Sequence, residues 1–90
     1  MNFLSRLFTK TAPAAAESVL HKDCRIIPQP VRDGGSYRIA ARIEKEFGGE
    51  TQVHNLIRAD TRTSLDEAKD ASIAKAKQAI DQLGDALFGA

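Results

Sequence analysis

Ninety residues are enough for one domain and too few for two. With 42% hydrophobic and 28% charged residues, the composition is that of a folded protein and excludes a wholly disordered chain. A formal net charge of +1 excludes attraction to nucleic acid by the molecule as a whole, so any such pull must come from local charge.

In chain order, Phe3, Leu4, Leu7 and Phe8 fall at helical spacing, with Arg6 and Lys10 between and beyond them. This predicts about two turns of amphipathic helix over residues 1–10, too short to be stable alone. Such a segment suits weak contact with a membrane surface or packing on the domain. Small residues and Pro13 then form a linker, so residues 1–19 read as segment and linker and residues 20–90 as the domain. Arg25-Ile26-Ile27 is a short strand that ends at Pro28. Pro28 and Pro30 lack ladder donors and place it at an edge or stop it there.

Gly34-Gly35 marks a turn. Tyr37, Ile39, Ala41 and Ile43 then alternate with Arg38, Ala40, Arg42 and Glu44, the clearest strand signal in the chain. Gly48-Gly49 suits a hairpin turn, and Val53 to Asp60 is the returning strand. A two-residue turn sets Ile43 opposite His54 and Ala41 opposite Leu56. A three-residue loop sets Ala41 opposite Ile57 and Ile39 opposite Ala59. The sequence leaves both open.

The last element is a helix. Ser64 and Glu67 form a capping box, and Asp66 and Glu67 lie at the positive end of the helix dipole. Leu65, Ser72, Ala76, Ile80, Leu83 and Leu87 make an apolar stripe, widened by Ile73 and Ala79. Glu67, Asp70, Lys77, Asp81 and Asp85 face away from it. The expected fold is α+β: a three-stranded antiparallel meander with one C-terminal helix packed on one face (β-β-β-α), preceded by a short N-terminal amphipathic segment. In either hairpin register, one of Leu56 and Ile57 points away from the helix, so the second sheet face keeps apolar surface for the N-terminal segment or a second subunit to cover.

Site chemistry is sparse. Cys24 is the single cysteine, so no intrachain disulfide forms. With His21 and His54 it completes the soft metal ligands, short of the four that a structural zinc site needs. No metal or other cofactor is expected. Cys24 and His54 lie on different strands, and a nucleophile–base pair would require them to meet. Gly34-Gly35 and Gly48-Gly49 open no helix and are turns, not phosphate cradles. Arg38 and Arg42 share one face with Glu44 and Glu46, which suits a solvated face of paired charges more than a phosphate-binding one. Arg58 and Asp60 sit two apart on the returning strand and share a face. The candidate interaction surface is Arg38, Arg42, His54, Arg58 and Asp60.

Ile27-Pro28-Gln29-Pro30, Gly34-Gly35-Ser36-Tyr37-Arg38, Ile43-Glu44-Lys45-Glu46, His54 and Ile57-Arg58-Ala59-Asp60-Thr61 resemble, in that order, the short bacterial HlyU-type family. So do Ala76-Lys77-Gln78-Ala79-Ile80-Asp81, Gly84-Asp85 and Leu87-Phe88. The likeness runs roughly from Leu20 to Phe88, and the opening Phe3 to Phe8 is similar. His21 and Cys24 depart from it, standing where aromatic residues are expected. The resemblance implies a transcriptional activator. Yet only one long helix is readable, and it comes last, so no helix-turn-helix pair is visible. The order of strands and final helix also resembles the double-stranded-RNA-binding domain. That domain opens its last helix with a lysine cluster, whereas this chain has the acidic turn Ser64-Leu65-Asp66-Glu67, which argues against RNA.

The expected function is therefore a small non-enzymatic regulatory or protein-interaction module. The alternative is the DNA-binding transcriptional regulator that the resemblance implies. Self-association or a protein partner is expected ahead of DNA. No apolar run approaches the roughly 20 residues that span a bilayer, and the start lacks a signal-peptide pattern, so a cytoplasmic location is expected.

Overall fold

The computed structural model describes residues 18–89, so the amphipathic segment expected over residues 1–10 lies outside the described residues. The described chain runs β1 (Val19–His21), β2 (Cys24–Pro28), β3 (Val31–Asp33), β4 (Ser36–Phe47), β5 (Glu50–Arg62) and α1 (Leu65–Leu83), then a 3₁₀ turn over Gly84–Phe88. All pairings are antiparallel. The α+β class with a C-terminal helix holds, but among the described residues the sheet has five strands where three were expected.

Strand β4 is the centre. It pairs with β5 along one side and with both β2 and β3 along the other, and β1 lies outside β2. The extra strands arise at the two prolines and before Cys24. Arg25 faces Glu44, Pro28 faces Ala41 and Val31 faces Arg38. No residue is gained or lost across Pro28-Gln29-Pro30, so β2 and β3 form one lane in one register. Gln29 keeps that lane attached, its N–H donating to the Ala40 carbonyl at 2.9 Å. Backbone groups alternate sides along a strand, so Pro28 and Pro30 fall where an N–H would point away from β4, and nothing is lost there by having none. Strand β1 stops pairing at Ile26, just before the first proline.

The hairpins adopt two-residue turns. Gly48 and Gly49 take φ 58° and 90°, left-handed values at both central positions that match the twist of the strands. This selects the register with Ile43 opposite His54 and Ala41 opposite Leu56. Lys22 and Asp23 do the same between β1 and β2 with φ 50° and 67°, and without glycine. Strand β5 pairs regularly up to Ile57 opposite Ala40. It then bulges, because Thr61 is the residue opposite Arg38 and Arg58, Ala59 and Asp60 face Ile39 alone.

The helix begins at Ser64, whose Oγ accepts from the Glu67 N–H at 3.2 Å. Ala68, Ser72, Ala76 and Ile80 are its buried residues, a narrow stripe of mostly small side chains that brings it close to the sheet. Leu65 and Leu83, expected in that stripe, are 42% and 53% exposed. Leu83 lies three residues after Ile80, about 60° short of a full turn, and the helix stops there as Gly84 takes φ 55°. Leu87 returns to the core from the 3₁₀ turn, and Phe88 meets Phe47 edge-on at 5.6 Å. Cys24, Ile26, Ala41, Ile43, Ala76, Ile80 and Leu87 form the core cluster. Ile26, Ile39 and Ile43 are fully buried, each contributing about 1.5–3 kcal/mol over exposure.

One polar group sits inside this core. Ser72 is 0% exposed, donates to the Ala68 carbonyl at 2.6 Å and accepts from the Ala40 N–H at 3.1 Å. The regular ladder would send that N–H to Gln29. The proline-flanked lane and the β5 bulge meet beside Ala40, and the helix supplies the acceptor.

Candidate functional site

Residues opposite one another in a sheet share a face, so the register sorts the side chains. Val19, Cys24, Ile26, Ala41, Ile43 and Leu56 point to the helix. On the far face run four rows: Leu20, Arg25, Glu44 and Val53; Ile27, Arg42 and Asn55; Ala40 and Ile57; Val31, Arg38 and Thr61. Leu20, Val31, Val53 and Ile57 are 74%, 50%, 38% and 65% exposed, four of the six large apolar side chains that the described residues expose. The expectation of apolar surface on this face is met, with Ile57 as the outward member of the Leu56–Ile57 pair. Leu20 and Val31 were missed because their strands were. The only signal for them was alternation over three residues beside a turn without glycine (Leu20) and beside a proline (Val31).

Charge on the far face is balanced. Arg25, Arg38 and Arg42 stand with Asp33, Glu44 and Glu46. Arg42 Nε donates to Glu44 Oε2 at 2.7 Å, and Arg38 Nη2 donates to Asp33 Oδ2 at 2.9 Å. Such pairs contribute little to stability, about 0–1 kcal/mol, but they cancel the field a phosphate would meet. Arg32 lies over the Tyr37 ring at 5.9 Å. An open depression of about 500 Å³ at the Leu20 end of this face is lined by Leu20 and Thr51 and by Arg25 and Lys45 against Asp23, Glu44 and Glu46, a charged wall rather than the predominantly apolar one typical of a small-molecule pocket.

The candidate residues do not converge on one patch. Arg38 and Arg42 lie on the far face, His54 is opposite Ile43 on the helix side of β5, and Arg58 and Asp60 are exposed in the bulge. Cys24 is 3% exposed on β2, and burial pushes its thiol pKa up, away from the reactive thiolate. It and His54 flank β4 on opposite sides, two strand spacings or about 10 Å apart, which is beyond hydrogen-bond reach. Among the described residues, no group of three or more His, Cys, Asp or Glu side chains is placed to hold a metal ion.

Two ion-pair clusters tie the helical end to the sheet. Asp81 receives Lys22 Nζ at 2.8 Å and His21 Nε2 at 2.9 Å. These hydrogen bonds, that from Lys22 first, hold the Asp81 carboxyl below its usual pKa. Lys45 Nζ donates to Asp85 at 2.8 Å, which raises the lysine pKa. Both clusters clamp hairpin ends to α1 or its 3₁₀ extension, so they position the sheet and offer no open site.

No helix among the described residues is long and apolar enough to cross a membrane. No curated protein and no solved structure matches the chain. A family model described as "Transcriptional activator HlyU" matches residues 2–88, nearly the whole sequence, and the chain therefore belongs to the HlyU family.

Proposed function

We propose that this protein is a small, non-enzymatic regulatory module that works in the cytoplasm by binding other protein surfaces through the far face and outer edge of its sheet. One observation carries the reading: Leu20, Val31, Val53 and Ile57 are exposed together on the face turned away from the helix. Several exposed large apolar side chains interleaved with charged ones on one face suit a mixed apolar and polar protein contact. Arg38 and Arg42 stand among them on the central strand β4, and Arg58 and Asp60 stand in the bulge of the edge strand. His54 lies on the helix side of that strand.

The family description favours a second reading, a transcriptional regulator that binds DNA directly. It requires arginines free to meet phosphates, and the two best placed, Arg38 and Arg42, are paired with carboxylates. A titration of isotope-labelled protein with a mixed-sequence DNA duplex, followed by backbone amide NMR at low and then physiological salt, separates the two. The interaction-module reading expects no clustered shifts. Shifts at Arg38, Arg42 and Arg58 that fade as salt rises would replace it with direct DNA binding.

A further inference from the structure

The two edges of the sheet are treated differently. On one side, β1 is three residues long, and beyond it Pro28 and Pro30 remove the outward donors. Shortness and proline are standard protections against pairing with another chain. The other edge, β5, is 13 residues long and carries neither proline nor lysine. Among the described residues, nothing pairs with its outer side.

The β4–β5 turn fixes which groups are free. In a two-residue hairpin the residues flanking the turn, Phe47 and Glu50, exchange both backbone bonds, and such pairs recur at every second position. The backbone groups of Gln52, His54 and Leu56 are therefore spent on β4. Those of Thr51, Val53, Asn55 and Ile57 point outward, and the side chains of these four lie on the far face.

We infer that β5 pairs with β5 of a second copy, antiparallel, about a two-fold axis at Asn55. The inference rests on the interaction-module reading and names its partner. A two-fold perpendicular to the sheet keeps faces together, so the allowed registers differ by steps of two residues. Placing Asn55 opposite Asn55 of the second copy sets Val53 opposite Ile57, twice. Both apolar side chains are exposed in the single chain, 38% and 65%, and each covers the other in the pair. Moving the axis to His54 would set Val53 opposite Asn55 and Ile57 opposite Thr51, leaving neither with an apolar partner. The bulge at Arg58–Asp60 bounds the paired segment at one end and the Gly48-Gly49 turn bounds it at the other. The product is a continuous sheet through both copies, with helices on one side and an extended far face on the other.

The test is sedimentation velocity of the full chain over a concentration series, native and in three variants. The native chain is expected to dimerise reversibly. Asn55→Pro removes one outward N–H without touching the β4–β5 ladder, so it is expected to stay folded by circular dichroism and to raise the dissociation constant at least about tenfold. V53K/I57K places lysine opposite lysine and is expected to be monomeric, whereas V53K/I57E places lysine opposite glutamate and is expected to dimerise. Isotope-filtered NOEs between Val53 and Ile57 methyl groups of different copies read the register directly, and their absence in a dimer overturns the inference. A native chain that stays monomeric, or a dimer indifferent to Asn55→Pro, also overturns it. Neither result touches the wider interaction reading, which falls only on salt-sensitive DNA shifts.

Discussion

Replacing Ser72 by alanine isolates the one buried polar tie between helix and sheet among the described residues. The change removes the acceptor for the Ala40 N–H at a site of 0% exposure and leaves the rest of the stripe intact. A buried donor without a partner costs about 1–3 kcal/mol. Alanine returns part of this, because its helix propensity exceeds that of serine by roughly 0.5 kcal/mol. The hydroxyl bond to the Ala68 carbonyl is a back-bond within the helix and adds little. The expected net loss is about 1–2 kcal/mol, which lowers the melting temperature of so small a domain by roughly 4–8 °C for each kcal/mol. Urea unfolding followed by circular dichroism measures the loss, and amide hydrogen exchange at Ala40 locates it. A loss below about 0.5 kcal/mol with Ala40 still protected would refute the reasoning, since the amide would then have found the Gln29 carbonyl at no net cost.

Other substitutions test the face assignments and the clamps. Ile43→Ala is expected to cost about 2–5 kcal/mol and to unfold much of the population, while Ile57→Ala stays within about 0.5 kcal/mol in the monomer. Equal losses in urea titrations would mean that the two faces have been exchanged. Asp23→Gly relieves a left-handed residue in the Lys22-Asp23 turn and is expected to raise stability by about 0.5–1 kcal/mol, read by the denaturation midpoint. The folded-state pKa of Asp81 lies below its unfolded value, so its stabilising contribution is full above the ordinary carboxylate range and is lost as pH falls through the folded value. Asp81→Asn should therefore flatten the acid end of the stability–pH curve, and an unchanged acid limb would count against the clamp.

The parts of the fold legible in the sequence were those with a repeating signal. The Tyr37 to Glu44 alternation, the Gly48-Gly49 turn and the Ser64–Glu67 box each announce a local geometry, and each is present. The missing strands lacked such signals. Strand β1 offers three residues beside a turn of Lys22 and Asp23, which adopt positive φ without the glycine that usually marks it. Strand β3 follows Pro30 and exposes all three of its residues, so it has no buried side to alternate with. Ser72 looked like one more small residue in an apolar stripe. Its role depends on an amide 32 positions away that two distant irregularities free from the ladder. The bulge at Arg58–Asp60 carries neither glycine nor proline, and it decides where the regular β4–β5 register is interrupted.

The connections between elements have a kinetic consequence. Lys22-Asp23, Gln29-Pro30, Gly34-Gly35, Gly48-Gly49 and Thr63-Ser64 are each two residues long, so from Val19 to Leu83 the chain has no slack. The sheet can zip by successive short-range closures, which carry little entropic penalty, before α1 swings back to lay Ser72 beside Ala40. Substitutions in the turns should then slow folding, while those at the helix–sheet seam should mainly speed unfolding. A chain put together this way finds its native pairing quickly, and it leaves a completed β5 edge waiting at the moment the helix docks.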